Sequence, residues 1–235
     1  MKVTANMATV PSRISQCIHA IDSIAPQVDL VRVYCNGHTK EEAIFIKNGA
    51  PDNVQVFMSD SAMGDRGDIG KFYFADQPGQ IYFSCDDDLL YPPDYVKHTI
   101  DQLNRYGAGT VLTYHGSELK HPVRDYYRDR IAYACLRQLN HDVEVDVGGS
   151  GVMCFNTDAI KVDLTFFEHP NMSDIYISAL TKMQGSRIIC LKHSQGWIKY
   201  MEVPDTIYDR HKNNCEIQTR VVNEYFSNRS QLDRV

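Results

Sequence analysis

Short apolar runs rich in β-branched residues alternate with amphipathic segments along the chain, and this alternation constrains the fold more than any other feature of the sequence. The segment after the first run carries Ile14, Cys17, Ile18 and Ile21 at helical spacing, which predicts a helix that packs on a sheet. Strands that alternate with helices favour a mostly parallel sheet with helices on both faces. We therefore predict a doubly wound α/β fold, with strands at residues 3–4, 30–34, 54–57, 81–83 and 111–114.

The remaining elements follow from the same patterns. Ser12 is a plausible N-cap for the first helix, and Pro92 and Pro93 are predicted to open a second helix that stops at Gly107. In the less regular second half, the segment 143–147 leads into the glycine-rich loop 148–151. We predict a strand at 152–155, a helix through Tyr176 and Ala179, a strand at 187–191, and a last helix around Ile217, Val221 and Tyr225.

Composition limits the classes of protein to which this chain can belong. Its 235 residues are 43% hydrophobic and 23% charged, as expected of a globular protein, and no linker or repeat divides them, so we predict a single domain over residues 1–235. The net charge of −6 argues against nucleic acid as a partner.

The cysteines and the N-terminus bear on the cellular compartment. Seven cysteines are scattered singly, which predicts reduced core residues in a cytoplasmic protein. We expect no signal peptide and no transmembrane segment, since no long apolar stretch occurs. Peripheral contact with a membrane face is left open.

Three consecutive aspartates, Asp86, Asp87 and Asp88, directly follow the apolar run at residues 81–85. Ligands of open α/β sheets bind at the carboxyl ends of the strands, which is where this cluster should fall. Carboxylates this close repel one another, and a hard divalent cation that also holds phosphate would neutralise them. The alternative is an acidic turn that caps the helix after Pro92, because helix N-termini attract carboxylates.

Several further motifs stand in order around this cluster. They are the first strand and turn at residues 5–13, the segment 34–37, the glycine-rich segment 64–71, the loop 148–151, Ser173 with Asp174, and His193 after a strand. Their order over about residues 1 to 200 resembles that of GT-A-fold glycosyltransferases of the family 2 type. The resemblance implies a GT-A, Rossmann-like domain, with a nucleotide-sugar half at about 1–115, an acceptor half at about 116–200, and a C-terminal tail and helix at 201–235.

The resemblance also implies roles for individual residues. In the D-x-D pattern, Asp86 and Asp88 would bind Mn²⁺ or Mg²⁺, with Mn²⁺ favoured, and His193 or alternatively His211 would be a further metal ligand. A second group of residues would contact the nucleotide sugar, whose nucleotide is expected to be UDP. These residues are Ala5, Thr9, Arg13, Asn36, Asp65, Arg66, Lys71, Asp86, Asp87 and Gly149. A solvated polar turn is the alternative for the segment 64–71.

For the chemical step, the resemblance implies that Asp174 is the general base of an inverting transfer, because it matches the acidic position at the start of the acceptor-side helix. Asp in the first turn of a helix is also favoured by the helix dipole alone. Asp146 and Asp163 are the fallback positions.

The expected function is the metal-dependent transfer of a sugar to a glycan, glycolipid or glycoprotein acceptor. Two alternatives stay open: a retaining transferase on the same fold, and a noncatalytic module that binds nucleotide sugar or carbohydrate. A dinucleotide dehydrogenase is disfavoured because residues 7–11 lack the G-x-G-x-x-G pattern, and an EF-hand is disfavoured because Tyr91 stands where a glycine is needed.

Overall fold

The computed structural model describes residues 1–227, apart from the side chain of His211. Within that range the chain forms thirteen β-strands and six α-helices. The strands are β1 (Lys2–Thr9), β2 (Leu30–Cys35), β3 (Val54–Met58), β4 (Gln80–Cys85), β5 (Leu89–Leu90), β6 (Thr110–Thr113), β7 (Gly116–Leu119), β8 (Arg130–Tyr133), β9 (Val143–Glu144), β10 (Val147–Gly148), β11 (Val152–Asn156), β12 (Arg187–Cys190) and β13 (Lys199–Tyr200). The helices are α1 (Ile14–Ile24), α2 (Lys40–Gly49), α3 (Tyr95–Tyr106), α4 (Ser173–Met183), α5 (Ile207–His211) and α6 (Glu216–Phe226).

The central sheet has eight strands in the order β3-β2-β1-β4-β11-β6-β12-β9. Strands β1 to β4 pair in parallel, and β6 and β12 run in the same direction, whereas β11 and β9 run the opposite way. This arrangement confirms the predicted α/β class with a mostly parallel sheet flanked by helices. The chain order reverses between β1 and β4, and such a switch point opens a crevice at the carboxyl ends of the two strands.

Two apolar cores cover the two faces of this sheet, because alternate residues of each strand point to opposite sides. On one face, helices α1 and α3 contribute Cys17, Ile21, Tyr95 and Val96 to the core. On the other face, helices α4 and α6 contribute residues such as Tyr176 and Val221. All seven cysteines are free and buried, as the sequence predicted.

One local expectation was wrong. Ser12 does not cap α1: it lies in the short 3₁₀ turn Pro11–Arg13, and Arg13 occupies the N-cap position without a side-chain hydrogen bond. The run 143–147 is divided between two sheets, because β9 joins the central sheet while β10 joins a separate three-stranded sheet with β7 and β8. Asp146 lies at the break, where its carboxylate accepts from the Leu119 backbone and pairs with Lys182.

Among the described residues, none of the helices is both long and apolar enough to cross a lipid bilayer.

Candidate active site at the carboxyl edge of the sheet

A cavity of about 480 Å³ opens at the carboxyl edge of β1, β2 and β4. Residues from the turn before α1, the loop before β4, the end of β6, the start of α4 and the segment around α5 close its walls. Its lining includes six carboxylates and four cationic side chains. The carboxylates are Asp68, Asp86, Asp87, Asp88, Asp174 and Asp205, and the cations are Arg13, Lys71, Arg130 and Arg210.

Arg13 joins two of the three aspartates of residues 86–88, namely Asp87 and Asp88. Its Nη1 donates to Asp87 Oδ1 at 3.0 Å and to Asp88 Oδ2 at 3.3 Å. Its Nη2 donates to the backbone carbonyl of Asp205, so the same guanidinium also holds the C-terminal segment against the cluster. The Asp205 carboxylate in turn accepts from Nε of Arg210 at 2.7 Å.

Asp86 faces the other side of the cluster, where Lys71 Nζ lies 2.5 Å from its Oδ1. Burial lowers the pKa of Lys71, but Asp86, Asp68 and Asp174 more than compensate, so its pKa lies above the usual value. Gly151 makes room for the Asp86 carboxylate, because a Cβ at that position would lie 1.9 Å from Asp86 Oδ2. The loop before β11 therefore shapes the carboxylate cluster.

Burial and mutual repulsion perturb these acids. Burial, together with the charges of Asp86 and Asp87, raises the pKa of Asp88 to about 7. Burial also raises the pKa of Asp87, although Arg13 opposes the shift. A divalent cation would stabilise the ionised forms of Asp87 and Asp88, since its charge offsets the repulsion between the carboxylates.

Asp174 lies in the first turn of α4 and lines the cavity. The Ser150 backbone N–H donates to its Oδ1 at 2.7 Å, which fixes the carboxylate and leaves Oδ2 for other partners. His115, directly after β6, lines the same cavity, and burial lowers its pKa while Asp174 opposes the shift. The imidazole is therefore neutral at pH 7 beside an acidic group.

Asp68 adds a second acidic group beside Lys71. Its Oδ2 accepts from the hydroxyl and the backbone N–H of Ser173, the latter at 3.2 Å. Its Oδ1 is buried and has no hydrogen-bond partner among the described residues. Burial raises the pKa of Asp68 to about 6, partly opposed by Lys71 and Ser173.

An aromatic and basic wall faces the aspartates. The Arg130 guanidinium lies 4.7 Å from the ring centre of Tyr126 and 4.9 Å from that of Tyr127. Tyr127 also contacts Tyr208 edge to face, at 5.3 Å between ring centres. This wall can offer ring faces and one positive charge to a bound molecule.

The cavity brings together most of the residues that the sequence singled out. Those lining it are Thr9, Arg13, Asn36, Lys71, Asp86, Asp87, Asp88 and Asp174. The fallback residues Asp146 and Asp163 do not line it.

Five candidates also lie outside the lining, for identifiable reasons. Ala5 is in the middle of β1, paired to β2 and β4 and buried in the core, so Ala8 lines the cavity in its place. Asp65 accepts from the Gly67 backbone, and Arg66 donates to the Phe167 carbonyl at 2.6 Å. Gly149 packs under the His115 side chain, where an added Cβ would lie 2.7 Å from the His115 Cβ.

The fifth candidate, His193, lines a second cavity whose lining does not include Asp86, Asp87 or Asp88. The side chain of its alternative, His211, lies outside the described part of the structure.

Sequence reasoning missed several lining residues. Asp68 lies within the noted segment 64–71 but received no role, and no role was predicted for Tyr126, Tyr127 or Arg130. His115 had a usable signal, because it directly follows a strand-like run, just as the aspartates do.

The acidic cluster fits a divalent cation in one specific way. The described residues contain no group of three or more His, Cys, Asp or Glu side chains arranged around a single point. Mg²⁺ is commonly held by one or two carboxylates, several waters and substrate phosphates rather than by a cage of protein ligands. Asp86 and Asp88 could supply the two carboxylates of such a partial site, called here the metal half-site, and the phosphates of a bound diphosphate would complete the coordination.

No protein-family model matches the chain, and no curated protein matches its sequence. Among solved structures, residues 1–349 of TarS from S. aureus are similar to it, with 14% identity and a TM-score of 0.47 over 83% of this chain and 59% of that one. An active-site mutant of LgtC has 15% identity and a TM-score of 0.39 over 77% of this chain and 64% of that one. Mouse xyloside xylosyltransferase 1 has 11% identity and a TM-score of 0.38, over 77% and 73%.

A second similar structure of LgtC is that of a galactosyltransferase in complex with donor and acceptor sugar analogues. The similar structures therefore include glycosyltransferases. This chain spans less than two thirds of the solved TarS fragment and of the LgtC chain. The TM-scores of these structures are all below 0.5, so the similarity does not identify the activity of this chain.

Proposed function

We propose that the protein is a metal-dependent glycosyltransferase that moves a sugar from a nucleoside diphosphate, UDP being favoured, to a glycan or lipid-linked acceptor with inversion. One observation carries the proposal. The three aspartates after β4 share one cavity with Arg13, Lys71 and the carboxylate of Asp174.

The cation half-site and the basic side chains suit a diphosphate. Asp86 and Asp88 would hold the ion, while Arg13, Lys71 and Arg210 lie around the same space and can neutralise phosphate oxygens. When bound, Mg²⁺ or Mn²⁺ would stabilise the charge that grows on the leaving diphosphate. The lining has more carboxylates than cationic side chains, so a divalent cation would favour the binding of a diphosphate there.

Asp174 is the proposed general base. An inverting transfer needs one group that accepts the proton of the acceptor hydroxyl as the new bond forms, and a fixed carboxylate can do so. The hydrogen bond from Ser150 orients Asp174 at the cavity wall, and the neutral His115 beside it adds no competing positive charge. Asp174 would therefore lie in the part of the cavity wall that the acceptor hydroxyl approaches.

The test combines donor binding with turnover. Purified protein would be screened by thermal unfolding against UDP, GDP and their common hexose conjugates, with and without MnCl₂. A selective rise of the melting temperature that requires both nucleotide and Mn²⁺ is expected, because a ligand that binds only the folded state stabilises it. Glycoside product formed from the stabilising donor would then be analysed by NMR, and inversion at the anomeric carbon is expected.

Two isosteric variants separate the roles. Asp88→Asn should abolish the Mn²⁺-dependent stabilisation, whereas Asp174→Asn should retain it and lose turnover. Asp163→Asn is the matched control, because that exposed carboxylate caps the turn at Thr165 away from the cavity. Donor binding by Asp88→Asn at wild-type strength would refute the metal half-site, and a retained anomeric configuration would refute inversion.

A further inference from the structure

A second cavity, of about 330 Å³, shares no lining residue with the first. It lies between the start of α3, the segment before β9 and the segment after β12. Its lining residues are Asp94, His98, Gln138, Leu139, Asn140, Lys192, His193, Ser194 and Trp197. We propose that this cavity is a binding subsite for a neutral saccharide, recognised by the buried ring nitrogen of His193, the Trp197 ring and the amides of Gln138 and Asn140.

His193 provides the strongest sign of a missing partner. Its Nδ1 lies 2.8 Å from the Leu191 carbonyl, which can only accept, so Nδ1 carries the hydrogen and the Nε2 of the neutral ring is an acceptor. That Nε2 is buried and has no hydrogen-bond partner among the described residues. Two backbone hydrogen bonds to Leu139 hold the main chain of His193 in place, and the hydrogen bond from Nδ1 to the Leu191 carbonyl orients the ring. An O–H donor from a ligand would satisfy it.

Trp197 supplies the aromatic wall of the cavity. Its indole N–H donates to Asp94 Oδ1 at 3.1 Å, which fixes the orientation of the ring system. The ring of His98 contacts it edge to face at 5.6 Å, and Tyr114 packs at 5.0 Å behind it. A partly exposed indole held in this way offers an apolar surface to the C–H groups of a sugar ring.

The rim of the cavity is polar and electrically balanced. Gln138 and Asn140 are exposed, and one hydrogen bond of 2.6 Å between them leaves their other amide atoms for a ligand. Asp94 and Lys192 contribute one charge of each sign. A site with an aromatic wall, several neutral donors and acceptors and no excess charge suits a polyhydroxylated neutral molecule better than a phosphate or a cation.

The position of the cavity suggests its use. Tyr114 contacts both His193 and Trp197, and the next residue, His115, lines the first cavity. The subsite would therefore hold a sugar of the acceptor that lies remote from the reacting hydroxyl. That use rests on the proposed function, whereas saccharide binding itself does not.

The chain contains a single tryptophan, Trp197, so intrinsic tryptophan fluorescence reports on this cavity directly. The full chain would be titrated with lactose, maltotriose and chitotriose, and with glycerol as a polyol without a sugar ring. A saturable change in emission with at least one saccharide, and none with glycerol, is expected. No response to any of the three saccharides up to about 50 mM, well beyond millimolar dissociation constants, would overturn the proposal.

Variants test whether the response comes from the named atoms. His193→Phe removes the acceptor nitrogen and keeps an aromatic ring, and Asn140→Ala removes an exposed amide without risk to the fold. Each should weaken binding about fivefold, as the loss of one hydrogen bond does. A response with unchanged affinity in both variants would show nonspecific quenching and overturn the subsite.

Asp88→Asn separates this inference from the proposed function, because it should keep the saccharide response while losing metal-dependent donor binding. A protein that transfers sugar but gives no fluorescence response refutes only the subsite. A protein that binds saccharide but transfers nothing refutes only the proposed function.

Discussion

Replacing Gly151 by alanine is expected to disable the acidic cluster without removing any acidic residue. The added Cβ would lie 1.9 Å from Asp86 Oδ2 and 2.2 Å from its Cγ, which is far inside van der Waals contact. The backbone of residue 151 cannot retreat easily, because its carbonyl accepts from Tyr91 at 2.7 Å and from the Asp86 N–H at 3.2 Å. The Asp86 carboxylate must therefore rotate away.

The expected loss of stability follows from the loss of the ion pair between Asp86 and Lys71. Rotation of Asp86 breaks the 2.5 Å pair with Lys71, whose side chain is only 5% exposed. Breaking a fully buried pair costs about 3–5 kcal/mol, but Asp86 is 40% exposed and Asp68 still faces Lys71, so we expect about 1–3 kcal/mol in the free energy of unfolding. Affinity for Mn²⁺ should fall by about 10–100-fold, as it does when support for a ligand is lost.

Gly109→Ala is the matched control, because nothing lies within 4 Å of its added Cβ and its φ is not positive. Urea unfolding would give the stability of both variants, and calorimetric titration with MnCl₂ and UDP would give their affinities. If Gly151→Ala matched Gly109→Ala in both measurements, the assigned role of Gly151 in positioning Asp86 would be refuted.

Three further predictions concern the base, the pH dependence and a site remote from the cavity. Asp174→Asn should lower kcat by about 100-fold or more with little change in donor affinity, as measured by initial rates and donor titration; equal losses in both would assign it to donor binding. The pKa of Asp88 is about 7 in the fold and near 3.8 in the unfolded chain, so this group destabilises the metal-free protein increasingly as pH rises from about 4 to 7. Mn²⁺ displaces that proton, so it should raise the melting temperature more at pH 8 than at pH 6, and an equal rise at both would contradict the shift. Thr39→Ala removes the capping box with Glu42 at the start of α2 and should cost about 1 kcal/mol in urea unfolding with transfer activity unchanged; altered donor affinity would show that α2 is coupled to the site.

Much of the fold could be predicted because its strands and helices carry strong local patterns. The apolar stripe of α3 and its stop at Gly107 are local features, and the structure has them where periodicity placed them. The small sheet of β7, β8 and β10 could not be predicted in the same way, because its strands have two to four residues and pair across long separations. Its stability depends on tertiary pairing rather than on the composition of each strand.

The site was predictable where a polar residue directly follows a buried strand. The triplet after β4 and Asn36 after β2 reach the cavity for that reason. Prediction failed where a side chain is already engaged by the backbone, as for Arg66 and the Phe167 carbonyl, because such contacts join residues far apart in the chain. His193 was placed in the right region of the sheet, but its ring faces the second cavity.

The position of β11 has a consequence for biosynthesis. This strand lies between β4 and β6 in the sheet. Residues up to Asn156 must therefore be synthesised before β4 can pair with β11. Until then the nascent chain presents an unpaired, largely apolar strand to its surroundings, which invites misassociation. A shortened protein that ends after β6 should therefore aggregate rather than survive as an independent nucleotide-binding unit.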